Sequence, residues 1–152
     1  MTRALDLEIK NSRNIPRYIF GEGSINNLKS LLLERNDNKS GYAVYFIDIF
    51  FEKNVKPLES LPILDSDQVF YVDTQNEPTT SYVDDLKNRL MGIKKSLPHT
   101  IIGIGGGGAL DVAKAISNLL TNSGNAEDYQ GWDLVKFPGI YKIGIPTISG
   151  TG

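Results

Sequence analysis

A continuous apolar run, TIIGIG, leads into four consecutive glycines, Gly105, Gly106, Gly107 and Gly108, and then into a segment with helical spacing. Glycine loses more backbone freedom on folding than any other residue, so four in a row are costly. One would serve a tight turn that packs helix on strand. Four point to a loop whose backbone must approach a ligand closely. Apolar run, glycine turn and helix together form one half of a βαβ unit, the building block of parallel sheets.

The rest of the chain repeats that alternation. Residues 17–23, RYIFGEG, predict a strand ending in a glycine turn, and Ser24 suits the N-cap of a helix on which Ile25, Leu28, Leu31 and Leu32 recur. Residues 42–51 and 68–73 are further strand candidates. From Ser81 onward Val83, Leu86, Leu90 and Ile93 line one apolar face with charges opposite. Residues 109–121 read as helix and residues 141–147 as a last strand. The pattern predicts an α/β fold with a mostly parallel sheet flanked by helices, over one domain spanning residues 1–152. Ligands of such sheets bind outside the carboxyl ends of the strands. Asp48, Asp73, the glycines and residues 147–152 all fall at predicted strand ends, and therefore on one edge.

Composition narrows the partners. The 152 residues carry a formal net charge of -2, which argues against a nucleic-acid surface. Cysteine is absent, excluding disulfides and thiolate chemistry. No run approaches the ~20 apolar residues of a membrane span, and the N-terminus is too polar for a secretory signal. A soluble, cytoplasmic protein is expected.

Between strand and helix, the glycines place backbone N–H groups and the positive end of the helix against a phosphate. Gly103-x-Gly105-x-x-Gly108 satisfies the dinucleotide fingerprint, although it comes later than the first βα turn, and Glu127 and Asp128 follow with no strand between. A P-loop is excluded because no Gly-Lys-Ser/Thr follows. With Gly108 as N-cap, Asp111 occupies N3, where a carboxylate favours the exposed N–H groups. Lys114 either pairs with Asp111, which its spacing favours, or reaches toward a ligand. A side chain at Gly106 is expected to block backbone approach or to demand a positive φ.

Taken together, GIGGGGALDVAKA and IPTISGTG resemble the metal-dependent, iron-containing alcohol dehydrogenase family. Its members share G-G-G-S-x-x-D-x-A-K and, about thirty to forty residues later, P-T-x-x-G-T-G-S-E. Gly105, Gly106, Gly107, Asp111, Ala113 and Lys114 match the first motif, and Pro146, Thr147, Gly150, Thr151 and Gly152 the second. The resemblance implies a Rossmann-like domain in which Gly105, Gly106, Gly107, Gly108 and Asp111 hold the cofactor pyrophosphate. Thr147 and Thr151 would lie along the nicotinamide half, and Asp48 would bond the adenosine ribose, favouring NAD over NADP. A homodimer is implied for the full-length protein. Within the family, residues 128–152 look most like the 3-deoxy-octulosonate 8-oxidases, which oxidise the terminal primary alcohol of an eight-carbon sugar acid. Three departures stand out: Gly108 replaces a Ser, Glu77 an Asn in the N-P-T-like turn, and Ile148-Ser149 a Thr-Ala pair.

Family members are longer and continue into a helical domain that supplies an Asp and three His ligands to Fe²⁺ or Zn²⁺. With one histidine, His99, which reads as a loop residue, these 152 residues cannot build that site. They resemble the N-terminal domain of a larger oxidoreductase and are expected to be inactive alone. For such an enzyme the resemblance implies a metal that would lower the pKa of a bound alcohol and a nicotinamide that would accept its hydride. No catalytic residue and no metal ligand is assigned within residues 1–152. The competing reading is a stand-alone nucleotide-binding or regulatory module.

Overall fold

The computed structural model describes residues 15–36 and 41–148. Four parallel strands, β1 (Ala43–Asp48), β2 (Gln68–Val72), β3 (Thr100–Gly105) and β4 (Lys142–Pro146), lie in the order β2-β1-β3-β4. Helices α1 (Leu28–Arg35), α2 (Phe50–Lys53), α3 (Thr80–Ile93) and α4 (Gly107–Leu119) connect and flank them.

Alternation along the strands sends successive side chains to opposite faces, and both faces are covered. Ala43, Tyr45 and Ile47 of β1 pack with Ile102 and Ile104 against Leu28 and Leu32 of α1 and Phe51 of α2. Val44 and Phe46 pack on the other face, with Phe70, Val72 and Ile101, against Val83, Leu86 and Leu90 of α3 and Val112 and Ile116 of α4. Burial on both sides explains why β1 and β3 read as unbroken apolar runs. Helices on both faces make the sheet doubly wound. The order of strand addition therefore reverses between β1 and β3, at the crevice where ligands of such sheets bind.

Several boundaries differ from expectation. Residues 17–20 form no strand: Phe20 and Tyr18 are exposed, and no described neighbour offers the ladder of partners a strand needs. Gly21 and Gly23, both at positive φ, turn the chain into a 3-10 segment, Ser24–Asn27, before α1. Ser24 lies inside that segment and makes no capping bond; Gly23 precedes it in the left-handed region. The strand expected over 42–51 ends at Asp48, because Ile49 turns into α2 and buries Phe51 while exposing Phe50. Ile93 ends α3 exposed, leaving Val83, Leu86 and Leu90 as the buried stripe. Among the described residues no helix is long and apolar enough to cross a membrane.

Candidate functional site

The carboxyl edge of the sheet gathers Asp48, Asp73, Gly105 and Thr147, as their places at strand ends require. Register sets the pairing: Gly105 stands opposite Pro146, and the N–H of Thr147 donates to the Gly105 carbonyl at 3.0 Å. The two glycine-containing motifs, far apart in sequence, thus meet at one loop. Gly150, Thr151 and Gly152 lie outside the described residues.

Each glycine of the loop has a different role. Gly105 sits at φ +148, and a β-carbon there would fall 2.8 Å from that of Asp48 and 2.9 Å from that of Ala109. This is the position that demands glycine on conformational and steric grounds together. Upstream, a β-carbon on Gly103 would come within 2.9 Å of the Ala113 β-carbon, which lets α4 sit close on β3. Gly106 is extended, φ -79 and ψ -172, a conformation open to any residue, so the expected positive φ belongs to Gly105 instead. Among the described residues, a β-carbon on Gly106 would touch only the Ile148 side chain, at 3.4 Å, and one on Gly107 would meet nothing within 4 Å. Gly107 is exposed and begins a 13-residue helix.

Helix α4 starts two residues earlier than expected, with Gly106 as N-cap. Counting from there, Asp111 is the fifth helical residue and lies beyond the first turn, so it is not at N3 and does not cap the helix. Gly108 is the second helical residue. The Leu110 N–H makes the first bond back to the Gly106 carbonyl at 3.2 Å. The N–H groups of Gly107, Gly108 and Ala109 precede that bond and have no intrahelical acceptor. Among the described residues these N–H groups have no backbone acceptor, and they stand at the positive pole of a helix, which favours an anion.

Asp111 and Lys114 form an exposed ion pair at 2.8 Å, the pairing their spacing favoured. Burial, and then the charge of Lys114, hold Lys142 below its ordinary pKa, and its ammonium donates to Ser117 and Asn118. Asp128 caps a 3-10 turn, accepting the Asn125 N–H at 2.8 Å, so its carboxylate is engaged in local structure.

Asp48 closes β1 half-buried beside Gly105. Its Oδ1 accepts the Phe50 N–H at 2.9 Å, the turn-forming role open to any strand-end aspartate, and its Oδ2 accepts the Thr74 hydroxyl at 2.8 Å. Thr74 escaped sequence reasoning. Its only signal is its place two residues after β2, which neighbours β1 in the sheet. The Thr74 methyl and Pro78 stand 3.4 and 3.8 Å from where a Gly108 β-carbon would be, so the 73–79 turn walls the glycine loop. That turn also forms an open cleft with Glu77 and Tyr82.

These residues fit a dinucleotide: an N–H cradle, a carboxylate beside it, and a glycine whose β-carbon would meet none of the described residues. They do not fit a resident metal ion, since no three His, Cys, Asp or Glu side chains among the described residues are grouped to hold one.

The family model of iron-containing alcohol dehydrogenases matches residues 16–152. The chain belongs to that family. Its relatives include the sulfoacetaldehyde reductase of Bilophila wadsworthia, 41% identical over 98 residues that cover 64% of this chain and 24% of that protein. Alcohol dehydrogenase 4 of Schizosaccharomyces pombe is 38% identical over 81 residues, covering 53% of this chain and 18% of that one. The chain therefore spans about a quarter or less of the length of these two curated relatives. In fold it is similar to the sulfoacetaldehyde reductase of Bifidobacterium kashiwanohense, solved with NAD+, at TM-score 0.65 and 21% identity, covering 86% of this chain and 34% of the other. The parallel sheet flanked by helices shares the fold of the matching part of that enzyme.

Proposed function

We propose that residues 1–152 are the cofactor-binding half of an NAD-dependent alcohol dehydrogenase that interconverts a primary alcohol and its aldehyde. The observation that carries this reading is the meeting, at the crevice between β1 and β3, of the Asp48 carboxylate and the open start of α4 at Gly107. The names of the relatives, an aldehyde reductase and an alcohol dehydrogenase, support the reaction class.

In this reading the N–H groups of Gly107, Gly108 and Ala109 hold the pyrophosphate. Gly106 keeps a side chain out of its way, and Gly105 lets the strand end turn beside Asp48. Asp48 accepts from the adenosine ribose hydroxyls, and its charge repels the extra phosphate of NADP. Thr147 lines the nicotinamide half, the place that the family resemblance also implies for Thr151. Asp111, paired with Lys114, adds to the polar wall at the first turns of α4. Bound nicotinamide supplies a hydride acceptor, which the domain orients and the glycine loop anchors. No side chain among the described residues is assigned as acid or base. With no group of metal-holding side chains among the described residues, the role assigned to this chain is cofactor binding. The narrower substrate, the C8 hydroxyl of 3-deoxy-octulosonate, rests on the resemblance of residues 128–152 alone, and the relatives above are named for other substrates.

Calorimetric titration with NAD+ and NADP+ tests this reading. NAD+ should bind saturably and more tightly, and Asp48→Ala should narrow the gap by roughly 1–3 kcal/mol, the cost of leaving a hydrogen-bonding group unpaired. Equal affinities in the unmutated protein would refute the role of Asp48. No saturable binding of either nucleotide would refute cofactor binding and favour a module of another kind.

A further inference from the structure

We propose that Thr74 is a positioning residue for cofactor choice, acting through Asp48; the proposal rests on Asp48 reading the ribose. A carboxylate on its own rotates broadly about its terminal torsion. Here that rotation is stopped at both ends. Oδ1 is tied to the Phe50 backbone N–H at 2.9 Å and Oδ2 to the Thr74 hydroxyl at 2.8 Å. The first tie comes from the residue's own turn. The second crosses from the loop after β2 to the end of β1, so only the strand order β2-β1-β3 makes it available.

The two ties have a chemical consequence. An ionised carboxylate offers about four acceptor positions. With one taken on each oxygen, one remains on each, and the plane that contains them is set by Thr74 and Phe50. Two fixed acceptors match a donor pair such as the adjacent hydroxyls of a ribose. A hydroxyl replaced by phosphate has no proton to give and meets a carboxylate that cannot swing away. Thr74 also faces the glycine loop, its methyl 3.4 Å from where a Gly108 β-carbon would stand. One residue therefore touches the carboxylate and walls the cradle. Its hydroxyl faces the first and its methyl the second.

The test compares Thr74→Val, which removes the hydroxyl and keeps the shape, with Thr74→Ser, which keeps the hydroxyl. NAD+ and NADP+ are titrated into the full chain of each, with circular dichroism to confirm the fold. Thr74→Val should reduce the NAD+/NADP+ affinity ratio about three- to tenfold, the equivalent of one net hydrogen bond, and Thr74→Ser should restore it. A Thr74→Val protein that is folded and keeps the unmutated ratio overturns the proposal, as does one that loses both affinities equally, which would mark a merely structural residue. If the unmutated protein shows no NAD+ preference, the Asp48 reading fails first and the role of Thr74 falls with it. A preference that persists in Thr74→Val removes Thr74 alone.

Discussion

Asp48 and Gly105 end neighbouring parallel strands so close together that a β-carbon on Gly105 would stand 2.8 Å from that of Asp48. The glycine makes room for the aspartate at the crevice where the strand order reverses. Both residues are thereby fixed by backbone geometry before any ligand arrives.

Gly105→Ala is accordingly the substitution expected to damage the fold. The new methyl would meet two β-carbons below 3.0 Å on a backbone at φ +148. Strain and overpacking together should cost about 2–5 kcal/mol, read as a lower midpoint in urea unfolding. An unchanged midpoint would mean that the loop relaxes freely.

Gly108→Ser should be tolerated. The β-carbon would lie 3.4 Å from the Thr74 methyl, an ordinary contact, and the position is helical rather than left-handed. At the second helical position the new hydroxyl can reach a phosphate beside the N–H cradle, strengthening nucleotide binding by about 0.5–1.5 kcal/mol. Titration of this variant with NAD+ checks it, and weaker binding than the unmutated protein would show that the 73–79 turn has no room to give.

Stability should depend on pH through His99. Burial is the larger influence and lowers its pKa below the ordinary 6.5, while the nearby Asp67 carboxylate opposes that shift. The unfolded chain then binds the proton more readily than the folded one. Stability is complete above about pH 6.5 and falls as the pH drops through that value toward the lower folded pKa. Urea unfolding between pH 7.5 and 5 should show this decline, and His99→Gln should flatten it. A variant with the same slope would assign the decline to carboxylates.

Much of this was legible in the sequence, and the exceptions have physical causes. The passage from β3 into α4 is plain because Thr100–Gly105 is buried on both faces and reads as one apolar run. Which glycine carries the positive φ is not written in that run, since four glycines look alike until strand β1 presses Asp48 against one of them. For the same reason Gly108 was expected to cap α4, whereas the helix begins at Gly107 and leaves Asp111 outside the first turn. Residues 17–20 carry strand-forming side chains but find no partner among the described residues. Thr74 is invisible in sequence because its bond to Asp48 spans 26 positions and depends on which strands are neighbours. Asp111 and Lys114 were easier, three residues apart on one helix.

The most direct test of cofactor binding by the glycine loop is titration of NAD+ into Gly107→Val beside the unmutated full chain, with circular dichroism on both. A β-carbon at Gly107 meets no atom of the described residues within 4 Å, so the fold should be unchanged. If the start of α4 holds a pyrophosphate, the valine intrudes on the cradle and saturable NAD+ binding disappears. A folded Gly107→Val protein that binds NAD+ as tightly as the unmutated one would contradict this, and the glycines would serve packing alone.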